Sequence, residues 1–519
     1  MVTELTSSFS FVFLAVVGCG VSVSLVKGYV LNRNSNHARL PPGPKASWFG
    51  SVSLPKQYQW KIYADWKAVY GDIIYVHIFG NPLLVLNTAE AVNDLFEKRG
   101  AIYSSRPVRT MVSELIGFDW LFSTMPYGNR WRRHRALFLQ YFTPSNVAIR
   151  PVISQEVDTL LLNLSESPQL LFHHVKRTTA AIAMMISYGH QIAPEGDYYV
   201  SLADQALSYL ARAGLFGTYL VDYISPLKYV PAWLPGASFK RQALEWRQSV
   251  RAMLNRPFKM VQQHMAEGTA VPCFATAELE RLAANEVDPC EEELVKNVAA
   301  IAYAGGADTT VNAILSFFLA IMVYPEVLVN AQAEIDRVIG NGRLPTLDDR
   351  HDLPYIEAVV WECLRWNPVT PLGLARKMTE NDEYRGYLIP KGTTVLPNVW
   401  GILHDEQTYP DPLKFDPDRF LDKERNRKLG INEQPTAAFG FGRRSCPGQW
   451  IAVDTIWLTV ATASALYDIT KPCDDQGRTV EPDTEYTSQM LSGPKPFQCS
   501  ITPRSDMALR LIRQIQESR

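Results

Sequence analysis

The chain has 519 residues, 47% of them hydrophobic and 20% charged, with a formal net charge of -2. That composition belongs to a globular protein with a large core, and the near-neutral balance carries no basic footprint for nucleic acid. Its seven cysteines (Cys19, Cys273, Cys290, Cys363, Cys446, Cys473 and Cys499) have no regular spacing, with no CxxC, CxxCH or HExxH. This pattern excludes a disulfide framework, a zinc ribbon, c-type haem attachment and a zincin, and it points to a reducing compartment.

The run from Phe9 to Val26 is uncharged. As a helix it is about 27 Å long, enough to cross a hydrocarbon core. Glu4 and no Lys or Arg precede it, unlike a cleaved signal peptide, whereas Lys27, Arg33, Arg39 and Lys45 follow it. This predicts a retained transmembrane anchor over residues 1–28, with the remainder cytosolic. Residues 29–45 read as a polar linker ending in the stiff joint Pro41-Pro42-Gly43-Pro44. Residues 46–519 have no internal repeat and no second boundary, and predict one large domain, mainly α with small β-sheets.

Within that domain, DIIYVHIF and PLLVLN flank Gly80-Asn81 and predict a hairpin. Helical patterns follow at Ala89 to Arg99, Arg130 to Tyr141, Val152 to Leu164, Leu170 to Tyr188, Tyr198 to Ala213 and Phe239 to Glu267. In the second of these, Trp131 and Arg135 share a face at i and i+4. They read either as part of a basic amphipathic helix or as a donor pair for an anionic group at the edge of a buried ligand. The longest helix, from about Glu291 to Val323, is apolar all round in its middle and so reads as buried. Yet that middle holds Gly305, Gly306, Asp308, Thr309 and Thr310. Each mid-helix glycine costs about 1 kcal/mol against alanine. The group reads either as a glycine-mediated helix crossing with a satisfied polar pair, or as room for a flat ligand beside a proton relay of Asp308 and Thr309.

Glu362 and Arg365 lie on one helix face among Val359, Val360, Trp361, Leu364 and Trp366, which predicts a buried pair, with Arg419 as its third member. Last comes FGFGRRSCPGQW, Phe439 to Trp450. Its glycines allow tight turns that aim backbone N–H groups at Cys446, Arg443 and Arg444 lie close by, and Pro447 reads as the first position of a following helix whose positive end faces the sulfur. No histidine stands nearby as for a cysteine nucleophile, and a single thiolate on a bulky metal cofactor suits the pieces better.

Together the motifs resemble the cytochrome P450 family, the haem-thiolate monooxygenases. Phe439, Gly442, Arg444, Cys446 and Gly448 match the cysteine loop FxxGxRxCxG, and Gly305 to Thr310 match the oxygen-activating helix. Glu362 and Arg365 match ExxR, Phe415, Pro417 and Arg419 match the segment that completes its triad, and Trp131 and Arg135 match WxxxR. The stretches RGAIYSSRP, YGNRWRRHR, YRGYLIPKGT and PFQC look like membrane-bound fungal enzymes of secondary metabolism and xenobiotic oxidation. PLGLARK departs from the family's usual Pro-His-Arg, with Ala375 and Arg376 standing there.

The resemblance implies the cytochrome P450 fold and haem b with Cys446 as axial iron ligand. Trp131, Arg135, Arg376, Phe439, Gly442 and Arg444 would bind the cofactor, Asp308 and Thr309 would deliver protons, and Glu362, Arg365 and Arg419 would be structural. It implies insertion of one oxygen atom from O₂ into a lipophilic small molecule. No nicotinamide or flavin fingerprint is present, so NADPH electrons would come through a separate reductase at the endoplasmic reticulum membrane. Substrate contacts would come from Met111 to Phe122, Leu215 to Tyr223, Ala302, Val369 to Leu374, and Met490 to Leu491. Leu227 to Phe239, with Trp233, reads as a segment dipping into the membrane interface or as a buried loop. Terpenoids, polyketides, steroids and aromatic xenobiotics all suit such a pocket. A haem-thiolate isomerase or dehydratase would not need the Asp308-Thr309 relay, and a haem sensor would need neither the relay nor a large apolar pocket.

Overall fold

The computed structural model describes residues 39–45, 47, 51–284, 289–422, 424, 426–427 and 434–518. The expected anchor over residues 1–28 and the first part of the expected linker lie outside the described residues. The expected proline joint does not stand off from the body. Tyr75 N–H donates to the Pro42 carbonyl at 2.9 Å and Leu388 N–H to the Arg39 carbonyl at 2.8 Å, so this stretch lies along the edge of the sheets.

Helix α1, Gln59–Tyr70, precedes the hairpin β1, Ile73–Ile78, and β2, Asn81–Leu86. The hairpin pairs Ile73 with Leu86 and Ile78 with Asn81, so its two turn residues are Phe79 and Gly80, at φ 47° and 74°. Both are left-handed, as in a type I′ turn, whose twist matches that of the strands. The turn therefore lies one residue before the expected Gly80-Asn81. Asn81 instead stays at its exit, donating to the Ile78 and Phe79 carbonyls at 3.1 and 3.2 Å.

The helical body comprises α2, Asn129–Tyr141; α3, Ile149–Glu166; α4, Leu171–Tyr188; α5, Tyr198–Gly214; α6, Ser238–Glu267; α7, Phe274–Ala284; α8, Pro289–Val323; α9, Pro325–Val338; and α10, Pro354–Trp366. Four short strands follow: β3, Arg376–Lys377; β4, Asp382–Tyr384; β5, Tyr387–Ile389; and β6, Thr394–Pro397. Helix α11, Gln449–Leu466, strands β7, Tyr467–Thr470, and β8, Ser500–Pro503, and helix α12, Asp506–Glu517, complete it. The largest sheet runs in the order β1-β2-β6-β3, with β2 and β6 parallel. The expected class, mainly helical with small sheets, is what forms.

Beyond the charged first turns of α8, helices α8 and α11 are largely apolar all round because both run through the core. Among the described residues only Cys290–Val323, within α8, is long and apolar enough to cross a membrane. Of its apolar window 72% is buried inside the domain, so protein rather than lipid surrounds it.

Candidate functional site

The cysteine loop closes on itself ahead of α11. Cys446 N–H donates to the Phe439 carbonyl at 2.7 Å, and Ser445 N–H to the Gly442 carbonyl at 3.0 Å. Gly442 has φ 48°, its N–H donates to the Glu97 carboxylate, and a Cβ there would come within 2.7 Å of the Phe96 carbonyl oxygen. Only glycine satisfies both the dihedral and the space. Gly448 caps α11, one residue after Pro447, so the proline stands just outside the helix rather than at its first turn. The Gly448 N–H donates to the Cys446 sulfur.

Cys446 has exposed surface, yet burial pushes its thiol up from the ordinary value, opposed by the Gly448 N–H and the Arg135 charge. The two observations agree once the exposed side of the sulfur is seen to face an internal cavity of about 440 Å³ rather than bulk water. Arg135, not the neighbouring arginines, is the cation that acts on the sulfur. Arg443 turns outward over Tyr127, and Arg444 turns back over Trp131.

Helix α8 lines the same cavity. The two readings of its glycines divide between them. A Cβ on Gly305 would meet nothing within 4 Å, so that face opens on the cavity, whereas one on Gly306 would lie 3.2 Å from Ala183 Cβ on α4, a helix crossing. Thr309 Oγ1 donates to the Gly305 carbonyl at 2.6 Å, and Thr179 Oγ1 of α4 donates to the Ala307 carbonyl at 2.7 Å. Asp308 and Thr309 both line the cavity. Burial pushes the Asp308 carboxyl above the ordinary value; the Lys176 charge opposes this and Asp204 adds to it. Lys176 and Asp204 are themselves an ion pair at 2.9 Å.

Four arginines converge on this cavity, each donating to backbone carbonyls. Arg444 donates to Ser104, Phe122 and Met125 at 2.8, 3.3 and 2.8 Å. Arg135 donates to Ser445 at 2.9 Å, and Arg376 donates to Phe441 while lying over the Phe96 ring. The fourth, Arg106, donates to Ser123, Leu374 and Ala375 at 2.8, 2.5 and 2.7 Å. Burial, with repulsion from a neighbouring arginine, pulls Arg106 and Arg376 down to about 9 and Arg444 to about 8. A guanidinium does not give up its proton in a protein, so these shifts measure the cost of holding the charges together without a counterion. Glu97 offsets part of that cost at Arg376, and Arg376 Nη1 is buried with no partner. Arg106 was not marked by the sequence pattern. Its carbonyl partners at Leu374 and Ala375 are brought to it by pairing of Ser105 with Lys377.

A flat dianionic macrocycle with a metal at its centre fits these residues. The sulfur and the bare Gly305 backbone both line the cavity, and Arg106, Arg135, Arg376 and Arg444 supply positive charge that no carboxylate fully balances. Trp131 and Phe439 line the same space.

Glu362, Arg365 and Arg419 meet away from the cavity. Arg365 grips Glu362 through Nε and Nη2 at 2.6 and 2.8 Å and donates to the Leu403 and Pro412 carbonyls at 3.0 and 2.9 Å. Arg419 Nε stands 3.4 Å from Glu362 Oε1, close enough for charge but not aligned for a hydrogen bond. The Asp416 N–H completes the carboxylate's shell at 2.8 Å.

Of the expected substrate segments, Val112, Leu121, Phe122, Leu215, Phe216, Ala302, Val369 to Leu374, Met490 and Leu491 reach the cavity; Met111 and Leu220 to Tyr223 do not. In Leu227 to Phe239, Tyr229 is 67% and Trp233 71% exposed, which removes the buried-loop reading.

The sequence model of the cytochrome P450 family matches residues 41–500. Cytochrome P450 monooxygenase 208 of Postia placenta is 42% identical over 512 residues, 97% of this chain and 98% of that protein. Cytochrome P450 monooxygenase COX2 of Coprinopsis cinerea is 39% identical, covering 97% of this chain and 96% of its own. The tryptamine 4-monooxygenase of Psilocybe cyanescens is 35% identical, covering 93% and 97%. A thiol, a bare helix face and unbalanced guanidinium groups around one cavity, on a chain alike from end to end to these fungal enzymes, identify it as a member of the cytochrome P450 monooxygenases, an oxidoreductase family whose cofactor is haem.

Proposed function

We propose that Cys446 would ligate the iron of a haem b, that Arg106, Arg135, Arg376 and Arg444 would hold its propionates, and that the enzyme hydroxylates lipophilic small molecules in fungal secondary metabolism. The cavity supports this, because the Cys446 sulfur opens into it together with the bare Gly305 and with cations that no carboxylate fully balances. When bound, haem supplies the iron at which dioxygen is reduced and one oxygen atom is transferred. The balance is R–H, O₂, NADPH and one proton giving R–OH, water and NADP⁺, with the electrons delivered by a separate reductase.

The chain's own residues do the rest. The Gly448 N–H and Arg135 stabilise negative charge on Cys446 Sγ. Asp308, whose carboxyl holds its proton more tightly than usual, passes protons inward, and Thr309 Oγ1 relays them at the cavity face of α8. The apolar walls exclude water and orient the substrate. Glu362, Arg365 and Arg419 brace the segment 403–416 against α10.

We place the catalytic body on the cytosolic face of the endoplasmic reticulum, anchored by residues 1–28, with Tyr229 and Trp233 resting in the interface. The uncharged run Phe9 to Val26 and the exposed aromatics support this. The proline joint at 41–44, docked on the sheet, marks the start of the folded body. The test is the carbon-monoxide difference spectrum of reduced protein. A red-shifted Soret band supports thiolate ligation, and its absence in correctly folded protein refutes it. Extracts of the source organism, supplied with reductase and NADPH and read by mass spectrometry for added oxygen, test the substrate class.

A further inference from the structure

We propose that Met490, seated on Gly214, determines the size of ligand that the cavity accepts. The proposal rests on the cavity being the site of haem and substrate.

Gly214 is the last residue of α5, and both it and Met490 line the cavity. A Cβ on Gly214 would overlap Met490 Sδ and stand 3.2 and 3.3 Å from Met490 Cβ and Cε. The thioether therefore fills the volume that any side chain at position 214 would need.

Neither backbone is free to yield. On one side Arg109 holds the end of α5, donating to the Ala213, Gly214 and Leu215 carbonyls at 2.9, 2.9 and 3.1 Å. Arg109 is itself held by Asp222 at 2.8 Å, in a pair almost closed to solvent. On the other side the turn carrying Met490 is closed by Thr487 N–H to the Gly493 carbonyl at 2.9 Å and by Ser492 Oγ to the Thr487 carbonyl at 3.1 Å. Ser492 N–H also ties this turn to the Val369 carbonyl at 2.8 Å. The part that gives is the unbranched Met490 side chain, which has three rotatable bonds. Gln489 and Leu491 line the same space, so the open direction for the displaced thioether is the cavity. A methyl group added at 214 thus acts inside the pocket through Met490.

The test uses the full haem-loaded chain in detergent, with imidazole and N-tritylimidazole as probes that bind the iron and shift the Soret band. Gly214→Ala binds imidazole within about twofold of wild type and N-tritylimidazole at least about tenfold more weakly, the scale of one misplaced methyl in an apolar pocket. In Gly214→Ala/Met490→Ala the bulky probe returns to within about threefold of wild type. Equal weakening of both probes, an unchanged affinity for N-tritylimidazole, or no rescue by Met490→Ala overturns the proposal. If Gly214→Ala retains no haem, Met490→Ala decides alone: tighter binding of the bulky probe supports the assignment and unchanged binding overturns it. Failure of the haem-thiolate reading looks different, since wild type would then lack both the carbon-monoxide band and the imidazole shift.

Discussion

The guanidinium carbon of Arg444 lies 4.2 Å from the centroid of the Trp131 indole, joining the cysteine loop to α2. The contact leaves the charge of Arg444 otherwise answered only by carbonyl oxygens. An anion arriving there gains charge-assisted hydrogen bonds without having to displace a carboxylate.

Arg444→Gln and Arg106→Gln are each expected to fold and to lose haem faster. A hydrogen bond to a charged group is worth about 1.5–3 kcal/mol, so transfer of haem to apomyoglobin should speed up at least about tenfold for each. Wild-type transfer rates in both variants would remove the propionate assignment.

Cys446→Ala removes the thiol that opens on the cavity. Haem content after purification should fall close to zero, together with the red-shifted carbon-monoxide band. Full haem occupancy in this variant would refute ligation by Cys446.

Thr309→Ala keeps haem, because Thr309 Oγ1 bonds only within its own helix, to Gly305. Its expected signature is a larger share of NADPH oxidation ending as hydrogen peroxide, measured with reductase-containing membranes. Asp308→Asn should slow NADPH oxidation about 100-fold, the usual scale for a lost proton-transfer group. Unchanged rates and peroxide yield in both would exclude a proton role for the pair.

Glu362→Gln removes the carboxylate that Arg365 and Arg419 share, leaving two buried guanidinium groups on backbone carbonyls. Breaking a buried ionic network costs about 3–5 kcal/mol, so the variant should lose haem and secondary structure at a markedly lower temperature than wild type. Equal thermal inactivation would show that the network is braced by its carbonyl contacts alone.

Deleting residues 1–28 should move the protein into the soluble fraction after alkaline carbonate extraction while preserving the carbon-monoxide band. Retention in the pellet would mean that other segments suffice for membrane attachment.

Much of this site was legible because its chemistry is local. Glu362 and Arg365 are one turn apart on a helix, and Gly442 and Cys446 share one closed loop, so spacing alone brings each set together. What escaped depends on distant backbone. Arg106 becomes a site residue only when Ser105 pairs with Lys377. Arg443 adjoins the cysteine loop in sequence but is turned away by Tyr127, while Arg135, on α2 and about 310 residues earlier, supplies the charge at the sulfur. The hairpin was found and its turn displaced by one residue, because Phe79 takes a positive φ that side chains rarely adopt and no residue preference announces it.

For a chain anchored by residues 1–28, as proposed, the bonds of Arg39 and Pro42 to the sheets would shorten the leash. Ten residues, 29–38, separate the proposed anchor from the docked stretch, and ten residues reach at most about 36 Å. The mouth of the enzyme would then patrol a thin layer above the bilayer. Greasy compounds dissolved in lipid would be met by a two-dimensional search, with local enrichment standing in for tight binding.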